Sequence, residues 1–176
     1  MRSRVGGFFL GIIFCLIAIA LGSYLYFRFG YAPVATGAPP MPFERRLARM
    51  AMHARIQAEA PKDSPIKPDE PNLTIGAKVY VEDCAFCHGL PQQAAVSPAA
   101  KGMFPVPPQL FEDMVTDDPV GQTYWKVSNG IRLTGMPAFS KSLSDTQMWQ
   151  VSLLMANADK LPDQTKAALS AATVKK

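Results

Sequence analysis

Hydrophobic and polar positions change their pattern three times along this chain. From Val5 to Phe27 there is no charged residue, and Phe, Leu, Ile, Ala and Gly dominate. At 1.5 Å per residue that run reaches roughly 34 Å as a helix, enough to cross a hydrocarbon core of about 30 Å. Tyr24, Tyr26 and Tyr31 gather at its far end, where aromatic rings favour the membrane interface. A cleaved signal peptide would have a shorter apolar stretch and a small-x-small site after it. The tidy candidate, Ala18-Ile19-Ala20, lies inside the run, so residues 1–29 read as a retained transmembrane anchor.

Residues 30–71 form the second pattern, with eight of the sixteen prolines. Such spacing forbids a continuous helix and favours extended, semi-rigid chain, a stalk. One interval escapes it. Between about 43 and 60, Phe43, Leu47, Met50 and Ala54 recur at helical spacing, beside Arg45, Arg46, Arg49, His53 and Arg55. This predicts a basic amphipathic helix, resting on its own domain or docked on headgroups or another subunit.

From Asn72 the texture is globular, to about residue 162, with 163–176 left as a tail. Leu73 to Asp83 predicts a short helix presenting Ile75, Val79 and Tyr80. Residues 91–108 form a proline- and alanine-rich loop. Asp118-Pro119 is a helix start, capping side chain first and proline second, and Asn129-Gly130 closes that helix. Ser144 with Gln147 three residues on forms a capping box for a last helix, with Met148, Val151, Ser152 and Met155 near one face. No stretch alternates as a strand, so the fold class is all-α.

Composition sharpens this picture only where it is local. The formal net charge is +4, but residues 1–71 hold nine Lys/Arg against five Asp/Glu while 72–176 hold nine of each. A neutral domain on a basic stalk is a poor nucleic-acid binder. The stalk better suits anionic lipid or a partner subunit.

Cys84-Ala85-Phe86-Cys87-His88 carries the chemistry. C-x-x-C-H is the attachment signal for c-type haem. Two thiols three residues apart reach two vinyl groups of one porphyrin, and the next residue offers its imidazole to iron. A structural zinc site needs four ligands, and His53 and His88 are the only histidines. A thioredoxin-like pair needs a strand-to-helix junction, which this all-helical pattern lacks. Cys15, inside the apolar run, reads as a small hydrophobe.

The opposite axial position falls to a methionine. The candidates are Met103, Met114, Met136, Met148 and Met155; Met148 and Met155 fit a buried helix face, and Met103 follows His88 by only 15 residues. Met136 follows by 48, in the non-helical segment 130–139, with Gly135 before it and Pro137 after it. Met136 is therefore the expected second ligand, with His88 the first.

Between about Asn72 and Lys160 the sequence resembles the class I cytochrome c family. The resemblance rests on a helix running into Cys84-Ala-Phe-Cys-His88, a Thr134-Gly-Met-Pro-Ala-Phe139 loop and a closing helix with Trp149. It implies one covalent haem c, His/Met ligation and electron transfer rather than enzymatic turnover. The closing helix should cross the first against Gly76 and Tyr80. A proline carbonyl, from Pro98 or Pro105, should meet the free nitrogen of His88; Trp125 and Arg132 are candidates for the propionates. Haem attachment outside the bacterial cytoplasmic membrane implies a cytoplasmic N-terminus and a periplasmic domain, serving membrane-bound redox proteins or complex subunits. Two other readings are an open-site haem protein, such as a gas sensor or peroxidase-like enzyme, and a haem subunit that mainly scaffolds a larger complex. His88 is the only histidine of the domain, so a peroxidase would lack its usual proton carrier.

Overall fold

The structure is a computed structural model that describes residues 2–91, 97–112 and 115–172; Met114 lies outside them. Its elements are helices and helical turns, with no strand among the described residues. Two compact units divide the chain, residues 1–45 and 46–176.

The first unit holds α1, Arg2–Arg28. Within it Val5–Arg28 is long and apolar enough to cross a membrane, and its side chains are exposed all round. An uncapped stretch of large apolar residues without a core to cover them suits lipid rather than water.

The second unit begins inside α2, Glu44–Glu59. Ile56 is 3% exposed and Met52 is half-buried, one helical turn apart. Past the helix, Pro61 lies against the start of α6, Val120–Asn129: a Cβ on Gly121 would overlap the Pro61 carbonyl. The last stretch of the stalk is thus packed as part of the globular unit.

Helix α3, Glu70–Val79, starts earlier than expected because the Asp69 carboxylate accepts from the Asn72 amide at 3.1 Å, with Pro71 in the first turn. That start sets its phase. Leu73, Ala77, Val79 and Tyr80 are buried, and Ile75, expected on the same presented face as Val79 and Tyr80, is exposed. A π-helical turn, Tyr80–Cys84, then passes the chain into the four-residue helix α4, Ala85–His88. Within the expected loop, Pro98–Lys101 forms one helical turn, α5, capped by the Ser97 hydroxyl.

The closing helix α7, Asp145–Ala156, has the anticipated capping box between Ser144 and Gln147. Every residue from Met148 to Met155 is buried, so no single face describes it. A helix covered on all sides is a core helix. Its crossing with α3 depends on Gly76, where a Cβ would stand 2.3 Å from the Gln150 carbonyl oxygen. Gln150 also donates to the Asn72 side chain at 2.9 Å. Trp149 stacks on Tyr124 of α6, with ring centroids 4.0 Å apart. The Tyr124 hydroxyl in turn donates to the Asp145 carboxylate, the main cause of its raised pKa.

Asp118 does not cap α6. Its carboxylate accepts from Lys126 Nζ at 2.6 Å, and Pro119 takes the cap position. Gly130, at φ 66°, closes the helix as expected. Residues after 162, expected to trail off, instead form α8, Asp163–Ser170. Thr165 and Leu169 are buried against α3, with Thr74 and Thr165 hydroxyls 3.0 Å apart.

Candidate haem site

Cys84, Cys87 and His88 fall on the π-turn and α4, which the α3–α7 crossing holds in place. All three cysteines of the chain are free, and Cys84 and Cys87 are half-buried. Burial pushes the Cys84 thiol up to about 12, helped by the charge of Asp83. Burial raises Cys87 as well. Both sulfurs are therefore neutral thiols at physiological pH.

His88 Nδ1 lies 2.8 Å from the carbonyl oxygen of Pro108. A carbonyl only accepts, so Nδ1 carries the hydrogen and Nε2 keeps its lone pair. Burial holds the imidazole below its ordinary pKa, and the Pro108 bond opposes that. A neutral ring fixed through one nitrogen, with the other free, is the arrangement a metal-bound histidine needs. The proline is neither Pro98 nor Pro105, but Pro108, at the far end of the same Phe104–Pro108 run. Spacing alone could not select among these prolines, because the path of the loop decides which carbonyl arrives.

Tyr80 was expected only as a core contact. It is fully buried, its ring meets Phe111 edge-on at 5.1 Å, and its hydroxyl donates to the Gly89 carbonyl at 2.9 Å. Burial pushes the phenol well above its ordinary pKa, so the donor is permanent. Gly89 itself sits at φ 71°, where glycine is favoured. Tyr80 thus ties the residue after His88 to the helix before Cys84. Tyr80→Phe is expected to cost about 1–3 kcal/mol, the penalty for a buried carbonyl left without its donor. Denaturant unfolding of the haem-loaded chain measures it, and an unchanged midpoint would count against this role.

Met136 is half-buried and packs on the hydrophobic core. A set of short bonds shapes its loop. The Thr134 hydroxyl donates to the Ile131 carbonyl at 2.7 Å and accepts from the Met136 amide at 3.1 Å, while the Ile131 amide reaches the Met136 carbonyl at 3.2 Å. Gly130 permits the return of the chain, since a Cβ there would stand 2.6 Å from the Pro137 carbonyl carbon. Leu133 also takes a left-handed conformation, at φ 62°, and is almost fully exposed.

Met103 was set aside on sequence distance. Its sulfur nevertheless lies against this loop: a Cβ on Gly135 would be only 2.4 Å from Met103 Sδ. A second thioether therefore supports the backbone immediately before Met136. Trp125, a candidate for the propionates, instead donates its indole hydrogen to Glu59 at 3.0 Å. Arg132 is exposed.

The residues fit a haem. Two neutral thiols, an oriented imidazole with a free nitrogen and a methionine on a braced loop are groups of the chemical type that can hold a haem c. The helical unit carrying them is a cytochrome c domain, of the kind related to the class I proteins. Residues 71–155 match the family described as cytochrome c oxidase, cbb3-type, subunit III. That family implies covalently bound haem c and electron transfer. Among solved structures, a chain of the reducing HAO-like protein complex of Kuenenia stuttgartiensis is similar at 23% identity and a TM-score of 0.45. The match covers 59% of this chain and 53% of that one, about half its length. No curated protein matches this chain.

Proposed function

We propose that the chain is a membrane-tethered cytochrome with a single haem, passing one electron at a time between membrane-bound redox partners. Cys84 and Cys87 would each add S–H across a vinyl double bond, sulfur to one carbon and hydrogen to the other, with no atom lost. His88 Nε2 and Met136 Sδ would hold the haem iron. Bound haem supplies a ferric/ferrous couple, and methionine opposite histidine favours the ferrous form.

The chain's own residues would keep that site ready. Pro108 orients the His88 ring, and Tyr80 fixes the backbone behind it. Thr134 and Gly130 shape the loop that offers the thioether. The core around Val127, Met148, Val151 and Leu154 keeps water away. The observation that carries this reading is the 2.8 Å bond from His88 to Pro108, because it leaves the second ring nitrogen free for a metal.

The apolar α1 supports a tether, and haem attachment outside the bacterial cytoplasmic membrane supports a periplasmic domain with the N-terminus inside. Confinement to the membrane plane raises effective concentration beside membrane-bound partners. The matched family's description names an oxidase subunit, which supports a partner of that respiratory kind.

The test is the ferric and ferrous spectrum of the matured full chain. Low-spin bands with a thioether-to-iron charge-transfer band are expected; high-spin iron would point to an open site. A colourless product with both motif thiols titratable would reject the reading altogether. Cys87→Ser is expected to leave at most one thioether, seen as a shifted pyridine haemochrome band and partial loss of haem on acid extraction. Two thioethers in that variant would show the motif to be misread.

A further inference from the structure

The apolar stripe anticipated along α2 does not face the domain. The side of α2 that does so carries Met52 and Ile56, whereas Leu47 and Met50 are 56% and 63% exposed and Ala54 is exposed as well. At about 100° per residue, the stripe of Leu47, Met50 and Ala54 lies on the opposite side of the helix from Met52 and Ile56. Phe43, 70% exposed, continues the repeat just before the helix begins. Arg46, Arg49 and His53 run along one flank of the stripe, all exposed. The helix therefore has two apolar sides, and among the described residues only one is covered.

We infer that the outer side of α2 docks on an anionic lipid surface, the leaflet from which the stalk emerges; this rests on the reading of α1 as a span. Apolar side chains flanked by arginines are the pattern of a helix lying in the headgroup region. The positive flank complements anionic headgroups, each basic residue near such a surface adding to the attraction. Size separates lipid from protein as the occupant. A free protein partner needs about 800 Å² of contact on each side, and a stripe one residue wide over two to three turns offers much less. A tethered lipid contact needs no such area. Residues 29–43 link the two helices and reach at most about 50 Å, so the helix stays close to the bilayer at high effective concentration. Docking would fix the distance of the electron-transfer domain from the membrane and limit its tumbling.

The experiment uses the full haem-loaded chain reconstituted into vesicles of phosphatidylcholine, with or without phosphatidylglycerol. Amide hydrogen exchange is read across residues 46–55. Exchange is expected to slow by at least about tenfold in the anionic vesicles and to recover at high salt, where surface charge is screened. Leu47→Asp combined with Met50→Asp, both at exposed positions, is expected to abolish the slowing without changing the haem spectrum or flotation. Equal exchange in the two vesicle types overturns the docking, while flotation shows the span to be intact. A chain that stays in the aqueous fraction defeats the span and the docking together. Slowing found only in native membranes, with a second protein bound to the chain, overturns lipid in favour of a subunit.

Discussion

Met136→Ala is expected to leave the haem covalently attached while removing the low-spin His/Met spectrum entirely. The two thioethers would come from Cys84 and Cys87, 52 and 49 residues before Met136, so attachment would not depend on position 136. The thioether-to-iron band depends on nothing else, provided no other sulfur replaces it. Among the described residues Met103 could, since its side chain rests on Gly135. The pair of variants Met136→Ala and Met136→Ala with Met103→Leu therefore belongs in one experiment. Loss of the band in both assigns Met136 as ligand and Met103 as support. Loss only in the double variant would move the ligand to Met103 in the absence of Met136. An unchanged band in both would reject the loop as the source of the ligand. The reduction potential should fall with the band, because methionine ligation favours the reduced form.

Gly76→Ala is expected to destabilise the domain strongly. The new Cβ would stand 2.3 Å from the Gln150 carbonyl oxygen and 2.7 Å from its carbon, both backbone atoms of a helix buried all round. Neither can rotate aside, so α3 and α7 must separate, and their contact is what holds Tyr80 and the π-turn in place. Overpacking of this kind costs about 3 kcal/mol, or roughly a 10 °C lower melting temperature for a unit of this size. Gly102→Ala is the control. Its Cβ would meet nothing closer than 3.5 Å, at φ −83°, so its melting temperature should stay near that of the unaltered chain. Equal melting temperatures for the two variants would show that the crossing tolerates a methyl group, and the packing account would fail.

Local chemistry was the legible part. Ser144 and Gln147 form their capping box three residues apart, and Gly130 ends α6 at positive φ; both depend on neighbours in sequence. A close approach at Gly76 was also readable, because a small residue one turn before Tyr80 admits a second backbone, and the resemblance to class I cytochromes c implied that the closing helix supplies it. Misjudged features involve a partner far along the chain. Asp118 had a suitable capping position, but Lys126 competes for its carboxylate. Trp125 had a free indole donor until α2 brought Glu59 to it. The segment after 162 lacks any strong apolar run, yet Thr165 and Leu169 suffice to bury one side of α8.

By itself the sequence determined which atoms are available to a haem. Cys84, Cys87 and His88 are bound to one another by covalent spacing, and no folding event can alter that order. It also determined that the first helix is apolar on all sides, since composition needs no geometry. Tertiary structure decided which atoms are oriented. The choice of Pro108 among the prolines, the placement of the Met103 sulfur beside the Met136 loop, and the outward turn of Leu47 and Met50 all follow from how helices pack. Periodicity shows that a helix has an apolar stripe; which stripe meets the core depends on surfaces supplied by residues tens of positions away.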